Sequence, residues 1–253
     1  MRFKDKVVIV TGAASGFGAA ASVGFANEGA KVIAADVNTD GLAQTVSAVQ
    51  AAGSQAIAVE TDVTSGAAIK AMVDAAVSNF GTVDVLINNA GAGHMPFYMH
   101  ELPEDQYDLM FNLNTKSVYW GVKHVVPVMI ENGGGVIVNT ASIGAKSPRP
   151  KVTAYNAAKG AVVTMTRGLA SELARFKIRV NCVCPLASET GFFRSALGVD
   201  TLTDEQRKRL TSDVPLRRLT DPNDVANAML YLASDDGGFI TGVSLDIDGG
   251  KSI

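Results

Sequence analysis

Short runs rich in valine and isoleucine alternate with longer alanine-rich segments along almost the whole chain. The runs are nearly continuously apolar, and they do not show the strict alternation of apolar and polar residues that a strand with one solvent-exposed face has. Continuous apolar runs are typical of strands that helices cover on both faces of a parallel sheet. Strands that alternate with helices over short connections predict a doubly wound, mostly parallel α/β fold.

The pattern gives bounds for each element. Strands are predicted at Lys6–Val10, Lys31–Asp36, Gln55–Glu60, Val83–Asn88, Val136–Thr140, Ile178–Cys184 and Ser244–Asp246. Helices are predicted at Phe17–Glu28, Gly41–Ala52, Ile69–Asn79, Tyr107–Ile130, Thr153–Arg175 and Asp224–Ala233. No linker, charge block or repeat divides the chain, so we predict one domain over residues 1–253 with a seven-stranded sheet. The mixed, charged stretch at about 186–219 predicts a loop-and-helix lid over a site.

Composition excludes several classes of function. The net charge of -3 gives no electrostatic footprint for nucleic acid or for an anionic membrane. No stretch is long enough to span a bilayer, and the apolar run near the N-terminus is too short for a signal peptide. Cys182 and Cys184 stand two apart and are interpreted as buried thiols of a reducing compartment, with no metal site. We therefore expect a cytoplasmic protein.

A glycine-rich turn follows the first predicted strand. Gly12, Gly16 and Gly18 lie between that strand and the first helix, in the spacing Gly-x-x-x-Gly-x-Gly. Glycine lets the backbone turn sharply and approach a phosphate, and a helix N-terminus offers it free N–H groups. In this context the turn predicts a site for a dinucleotide, which we extend to Ser15 and Phe17.

A carboxylate ends the second predicted strand. Asp36 can accept hydrogen bonds from ribose hydroxyls, and its charge would repel a 2′-phosphate. Neither Ser15 nor Val37 supplies a cation to neutralise such a phosphate, so NAD(H) is expected over NADP(H). Asp62 is a candidate to bind the adenine amine, and Val63 to pack near the ring.

Tyr155 and Lys159 lie one turn apart in a strongly helical segment and therefore share a face. A phenol has a pKa near 10, and an ammonium nearby favours the phenolate, so we expect Lys159 to lower the pKa of Tyr155. The pair is then a candidate for general acid–base chemistry. Spacing alone also fits an ordinary exposed helix face.

The chain resembles the short-chain dehydrogenase/reductase family, in its branch of about 250-residue enzymes with a Rossmann-type sheet. The resemblance rests on Thr11–Gly18, Asn88–Gly91, Ser142, Tyr155 and Lys159, and it extends from Lys6 to Gly250. It implies that Tyr155 is the acid/base, with Ser142 binding the same substrate oxygen.

Further roles follow only from the resemblance. Lys159 would also bind the nicotinamide ribose, together with Tyr155. Asn114 would hold a water in the proton relay, and it is favoured over the nearby Asn112. Further cofactor contacts are implied for Asn89, Ala90, Gly91, Pro185, Ser188 and Thr190. Family members often form tetramers, so a homotetramer or homodimer is expected.

The chain departs from the family after the sixth strand. Leu186 stands where the family has glycine, and Ser188 where it has an aliphatic residue. The sequence therefore does not determine the course of the backbone beside the nicotinamide. The side chain of Leu186 suggests a narrower substrate pocket. Phe192 and Phe193 are candidates to cover an apolar substrate or simply to pack the lid. His94 is a candidate substrate contact, the alternative being a partly exposed loop histidine.

Together these features predict an NAD-dependent oxidoreductase that interconverts a small-molecule secondary alcohol and a ketone. An alternative is a ketoreductase for acyl carrier protein thioesters. Such enzymes usually favour NADPH, whose 2′-phosphate the charge of Asp36 would repel, so Asp36 argues against this alternative. A second alternative is a non-catalytic NAD-binding protein on the same fold. Retention of Ser142, Tyr155 and Lys159 argues against it, because binding needs no acid/base set.

Overall fold

The computed structural model describes residues 1–189, 198 and 201–253. The strands are β1 (Val7–Thr11), β2 (Lys31–Asp36), β3 (Ala56–Glu60), β4 (Val85–Asn88), β5 (Gly135–Thr140), β6 (Ile178–Pro185) and β7 (Ser244–Ile247). The described α-helices are α1 (Gly16–Asn27), α2 (Thr39–Ala51), α3 (Gly66–Phe80), α4 (Glu104–Phe111), α5 (Ser117–Glu131), α6 (Thr153–Leu173), α7 (Asp204–Thr211) and α8 (Pro222–Ala233).

The seven strands form one sheet in the order β3-β2-β1-β4-β5-β6-β7, and every neighbouring pair is parallel. The carboxyl ends of all strands therefore lie along one edge. The chain winds outward in one direction from β1 to β3 and in the other from β4 to β7. In such sheets the crevice beside β1 and β4, where the strand order reverses, is the usual ligand site.

Helices cover both faces of the sheet, which explains the continuous apolar runs. Val8 and Val10 of β1 contribute to one buried apolar cluster with α1 and α8. Val7 and Ile9 point the other way and pack with residues of α3, α5 and α6. All five residues of β1 are buried. Apolar burial on both faces fixes the strand register, because a shift by one residue would exchange the two sets of side chains.

The predicted doubly wound α/β fold is confirmed, and the sheet is entirely parallel. The predicted helix at Tyr107–Ile130 is helical throughout, but a π-helical segment at Asn112–Lys116 divides it into α4 and α5. Cys182 and Cys184 are buried and free, as predicted. Within the described part of the chain, no helix is both long and apolar enough to cross a membrane.

Candidate active site

A cavity of about 990 Å³ opens at the carboxyl edge of the sheet. Loops that follow β1, β2, β4, β5 and β6 meet there, as the strand order requires. Predicted site residues on its wall are Gly12, Ser15, Gly16, Phe17, Asp36, Val37, Asp62, Val63, Asn89, Ala90, Gly91, Ser142, Tyr155, Lys159, Pro185, Leu186 and Ser188. The fold thus brings the two ends of the predicted site into one cavity.

The glycine turn after β1 has no room for side chains. Gly12 has φ +67°, and a Cβ there would lie 2.9 Å from the Ala90 Cα. A Cβ on Gly18 would overlap the Gly12 carbonyl group, so Gly18 supports the turn and does not line the cavity. Gly16 begins α1, whose N-terminal N–H groups are free to bind a phosphate.

Hydrogen bonds from the loop after β4 hold the glycine turn in place. The Thr11 Oγ1 accepts from the Asn89 N–H at 2.9 Å and from the Ala90 N–H at 3.1 Å. The Asn89 Nδ2 donates to the Thr11 carbonyl oxygen at 2.9 Å. These bonds fix the width of the crevice between β1 and β4. The side chain of Asn89 therefore positions the turn as well as lining the cavity.

Asp36 places a negative charge on the cavity wall at the end of β2. Its carboxylate accepts from the Ala14 N–H at 3.1 Å and from the Asn38 N–H at 3.0 Å. In the described ranges no lysine or arginine pairs with Asp36, and its neighbour Val37 is 62% exposed. Asp62 instead organises a local turn, because its Oδ1 accepts from the Thr64 N–H and hydroxyl.

Three polar side chains meet at the other end of the cavity. Tyr155 and Lys159 project from α6, and Ser142 follows β5. Ser142 hydrogen-bonds to the Tyr155 hydroxyl group. The Lys159 Nζ is buried and donates to the Thr140 carbonyl oxygen at 2.7 Å. This arrangement can bind one substrate oxygen and exchange a proton with it.

The pKa of Tyr155 differs from the sequence prediction. The ring borders the cavity, but burial of the hydroxyl group raises its pKa to about 12, and Lys159 does not lower it. The hydrogen bond from Ser142 and the charge of Arg149 offset part of this rise. Burial lowers the pKa of Lys159 to about 8. Desolvation of both groups outweighs the mutual attraction expected from their spacing.

The π-helical segment positions Asn114. The Asn114 side chain is buried, and its Nδ2 donates to the Ala92 carbonyl oxygen at 3.0 Å. Its Oδ1 has no hydrogen-bond donor in the described part of the protein. A Cβ on Gly91 would lie 2.6 Å from this Oδ1 and 3.1 Å from the Lys159 Nζ, so both atoms flank Gly91. Asn114 thus lies behind the wall, next to Lys159.

Leu186 adapts to the position where the family has glycine. Its φ is not positive, so the backbone here needs no glycine, and its N–H donates to the Ile247 carbonyl oxygen at 3.0 Å. The side chain packs with Ile143 and Val214 and lines the cavity. The Ser188 hydroxyl is buried on the same wall without a partner among the described residues. Leu186 therefore joins the stretch at 186–219 to the body of the protein.

Replacing Leu186 by alanine should lower the free energy of unfolding by about 2 kcal/mol, because it removes buried methyl groups from this cluster. Urea denaturation measures the change. Leu216→Ala is the matched control, since Leu216 is 68% exposed and should contribute little. Equal effects of the two substitutions would show that the cluster around Leu186 does not stabilise the fold.

Other predicted substrate contacts fare differently. His94 is buried, so the alternative of a partly exposed loop histidine is wrong. His94 does not line the cavity, and its contact with a substrate stays a prediction. Its Nδ1 lies 2.7 Å from the Met95 carbonyl oxygen, and its Nε2 is buried without a partner among the described residues. Phe192, Phe193 and Thr190 lie outside the described residues.

Sequence reasoning missed several lining residues, notably Leu109, Leu113, Arg149, Arg209, Leu210, Asp213, Leu219 and Lys251. Most come from distant parts of the chain and belong to no motif. Among these residues only Arg149 stands out in the sequence, because prolines flank it on both sides.

The comparisons with known proteins agree with this geometry. Residues 12–252 match the family model described as enoyl-(acyl carrier protein) reductase. A 4-formylbenzenesulfonate dehydrogenase of Comamonas testosteroni is 41% identical, with both chains covered completely. A 3-ketoacyl-(acyl-carrier-protein) reductase of Brucella melitensis, solved with NADH, has a TM-score of 0.92 and 40% identity over 99% of this chain and 100% of that one.

A third relative is equally close in structure. A 7α-hydroxysteroid dehydrogenase, solved with NADH and 7-oxo glycochenodeoxycholic acid, has a TM-score of 0.92 and 35% identity over 98% of this chain and 95% of that one. These relatives are dehydrogenases and reductases, and the chain is accordingly an oxidoreductase that acts on CH–OH groups and binds a nicotinamide dinucleotide. The chain belongs to the short-chain dehydrogenase/reductase family.

Proposed function

We propose that the protein interconverts a secondary alcohol and a ketone, with NAD(H) preferred over NADP(H). One observation carries the proposal: Ser142, Tyr155 and Lys159 meet at one end of a cavity whose other end holds the glycine turn and Asp36. Phosphate-binding backbone and an acid/base set in one cavity are what a dinucleotide-dependent hydride transfer requires.

The residues present fit the cofactor, because Gly12 and Gly16 have positive φ and bring bare backbone to the cavity wall, and the first N–H groups of α1 are free to bind a phosphate. Asp36 would bind the adenosine ribose, Asp62 and Val63 the adenine, and Asn89–Gly91 and Lys159 the ribose beside the nicotinamide. Pro185 and the buried Ser188 hydroxyl would face the nicotinamide amide. NAD(H) supplies or accepts the hydride.

The protein handles the proton. Tyr155 would donate its hydroxyl proton to the carbonyl oxygen in reduction and take it back in oxidation. Ser142 would donate a hydrogen bond to the same oxygen and stabilise the developing negative charge. Lys159 and Asn114 flank Gly91 and would pass the proton between Tyr155 and solvent.

The raised pKa of Tyr155 predicts opposite pH profiles for the two directions. Oxidation requires the phenolate, so its rate should rise with pH up to the pKa of about 12. Reduction requires the phenol and should stay level up to about pH 8, where Lys159 loses its charge, and then fall. Initial rates between about pH 6 and about pH 10 measure both. An oxidation rate independent of pH would contradict proton transfer to Tyr155.

A ketoreductase acting on acyl carrier protein thioesters is the second candidate. The similarity to the Brucella melitensis reductase favours it, and because that protein was solved with NADH, cofactor choice does not separate the two candidates. A comparison of the turnover rates for acetoacetyl thioesters and for free ketones separates the two candidates.

A screen of cyclic, aromatic, sugar and short aliphatic secondary alcohols with NAD⁺ tests the main proposal, with NADH absorbance as the measurement. We expect NADH to form with at least one class. Binding of NAD⁺ without turnover of any alcohol or thioester would favour a non-catalytic protein.

Four further features belong to this proposal. The free, buried Cys182 and Cys184 support a cytoplasmic location. Family resemblance supports a homotetramer or homodimer, which light scattering at several concentrations can measure. We also propose that residues 1–253 form one domain and that the stretch at 186–219 acts as a lid, since Leu186, Ser188, Arg209, Leu210 and Leu219 line the cavity.

A further inference from the structure

Arg149 brings a positive charge to the chemical end of the cavity. It lines the cavity together with Ser142 and Tyr155, and it lies close enough for its charge to lower the pKa of the Tyr155 phenol. It belongs neither to the acid/base set nor to the motifs on which the family resemblance rests.

The guanidinium of Arg149 has no partner in the described part of the protein. Arg2, Arg207 and Arg218 each pair with a carboxylate, and Arg179 donates to main-chain carbonyl groups in the last turn of α8 and just after it. Arg149 makes neither kind of contact. Lys251, another cation on the cavity wall, is already neutralised by Asp213. Arg149 is therefore available to a ligand.

The backbone around Arg149 is held rigidly. Pro148 and Pro150 flank it, which restricts its conformation before any ligand binds. The Arg149 carbonyl oxygen accepts from the Nδ2 of Asn156, the neighbour of Tyr155 on α6. Two residues further on, the Lys151 carbonyl oxygen accepts from the Phe97 N–H at 2.9 Å. The backbone of Arg149 is thus tied to the helix that carries Tyr155, which limits the main-chain entropy lost when a ligand binds.

The cavity that Arg149 lines also carries several apolar side chains. Side chains that could contact the body of a substrate include Leu109, Leu113, Ile143, Leu186, Leu210 and Leu219. A ligand that suits both features has a hydrocarbon body and an anionic end. Oxyanions with two or more oxygens on one atom are natural partners of arginine, because the guanidinium can donate two parallel hydrogen bonds to a pair of those oxygens.

We propose that Arg149 binds a carboxylate or sulfonate group of the substrate while Ser142 and Tyr155 hold its hydroxyl or carbonyl oxygen. The inference rests on the proposed function and narrows it to anionic alcohols and ketones. The oxyanion would form charge-assisted hydrogen bonds with the guanidinium inside the cavity and set which carbon faces the cofactor.

Kinetics with matched ketones test this assignment. The substrates are 4-acetylbenzoate, 4-acetylbenzenesulfonate and the uncharged methyl 4-acetylbenzoate, each reduced with NADH. Arg149→Gln should lower kcat/KM for the two anions by roughly 10- to 100-fold more than for the ester, whose own change measures the effect of the lost charge on Tyr155. Arg149→Lys should recover part of the loss. Arg175→Gln, at an exposed arginine away from the cavity, should change nothing.

Ligand binding gives a readout that does not depend on turnover. Calorimetry with the NAD⁺-loaded protein would compare 4-ethylbenzoate and 4-ethylbenzenesulfonate with the neutral 4-ethylbenzamide, none of which carries a carbinol. We expect the anions to bind more tightly than the amide and to lose that advantage in Arg149→Gln.

The outcomes separate the two proposals. Ketone reduction without any charge preference that depends on Arg149 would overturn the anion site and leave the proposed function intact. If the protein bound the anions through Arg149 but reduced no ketone, the anion site would stand and the proposed function would be overturned. Failure of the wild-type protein to bind either ethyl-substituted anion would also overturn the site.

Discussion

Replacing Tyr155 by phenylalanine should lower kcat by roughly 10³-fold, within the range that a positioned acid/base contributes. The substitution removes the hydroxyl group that hydrogen-bonds to Ser142 and that would exchange a proton with the substrate. The ring remains, so the cavity keeps its shape. The measurement is the initial rate in both directions with the best substrate of the alcohol screen.

Cofactor binding separates loss of chemistry from loss of fold. Binding of NADH, followed by its fluorescence, should weaken by less than about threefold, since most contacts lie at the other end of the cavity. Tyr231→Phe is the control, because Tyr231 on α8 is 41% exposed and does not line the cavity. Near-normal turnover of the Tyr155 variant would remove this residue from the mechanism.

The second large effect concerns the adenosine end. The wild-type protein should prefer NADH to NADPH by roughly 100-fold in kcat/KM, because a 2′-phosphate would lie close to the negative charge of Asp36. Combining Asp36→Ala with Val37→Arg should reverse this preference. Val37 is exposed and lines the cavity, so an arginine there can reach the phosphate.

Asp36→Asn is the matched control for structure. Its amide oxygen can still accept a hydrogen bond from the Ala14 or Asn38 N–H, whereas the charge is lost. The control should lose discrimination without gaining tight NADPH binding. If the wild-type protein used NADPH as well as NADH, the carboxylate would not determine cofactor choice.

Residues that act through the backbone or through helical spacing could be predicted from the sequence. Gly12 and Gly16 follow a strand and begin a helix, and the parallel sheet then places them beside the loop after β4. Tyr155 and Lys159 share a helix face because positions four apart always do. The sheet itself followed from continuous apolar runs.

Features that depend on packing between distant segments could not be predicted. Spacing indicated that Lys159 would lower the pKa of Tyr155, but burial depends on residues from the whole cavity and reverses the direction. His94 belongs to no periodic segment, and only tertiary packing shows that it is buried. The prolines on both sides of Arg149 indicate a restricted backbone, but they do not indicate that Arg149 lines the cavity.

The π-helical segment between α4 and α5 has a consequence for changes in chain length. A π turn accommodates one residue more than an α turn, so losing one residue from Asn112–Lys116 would leave an ordinary helix with both flanking registers intact. The same loss within α5 would rotate every later side chain by about 100°. A single-codon deletion could therefore remove Asn114 from beside Lys159 and still leave a folded protein.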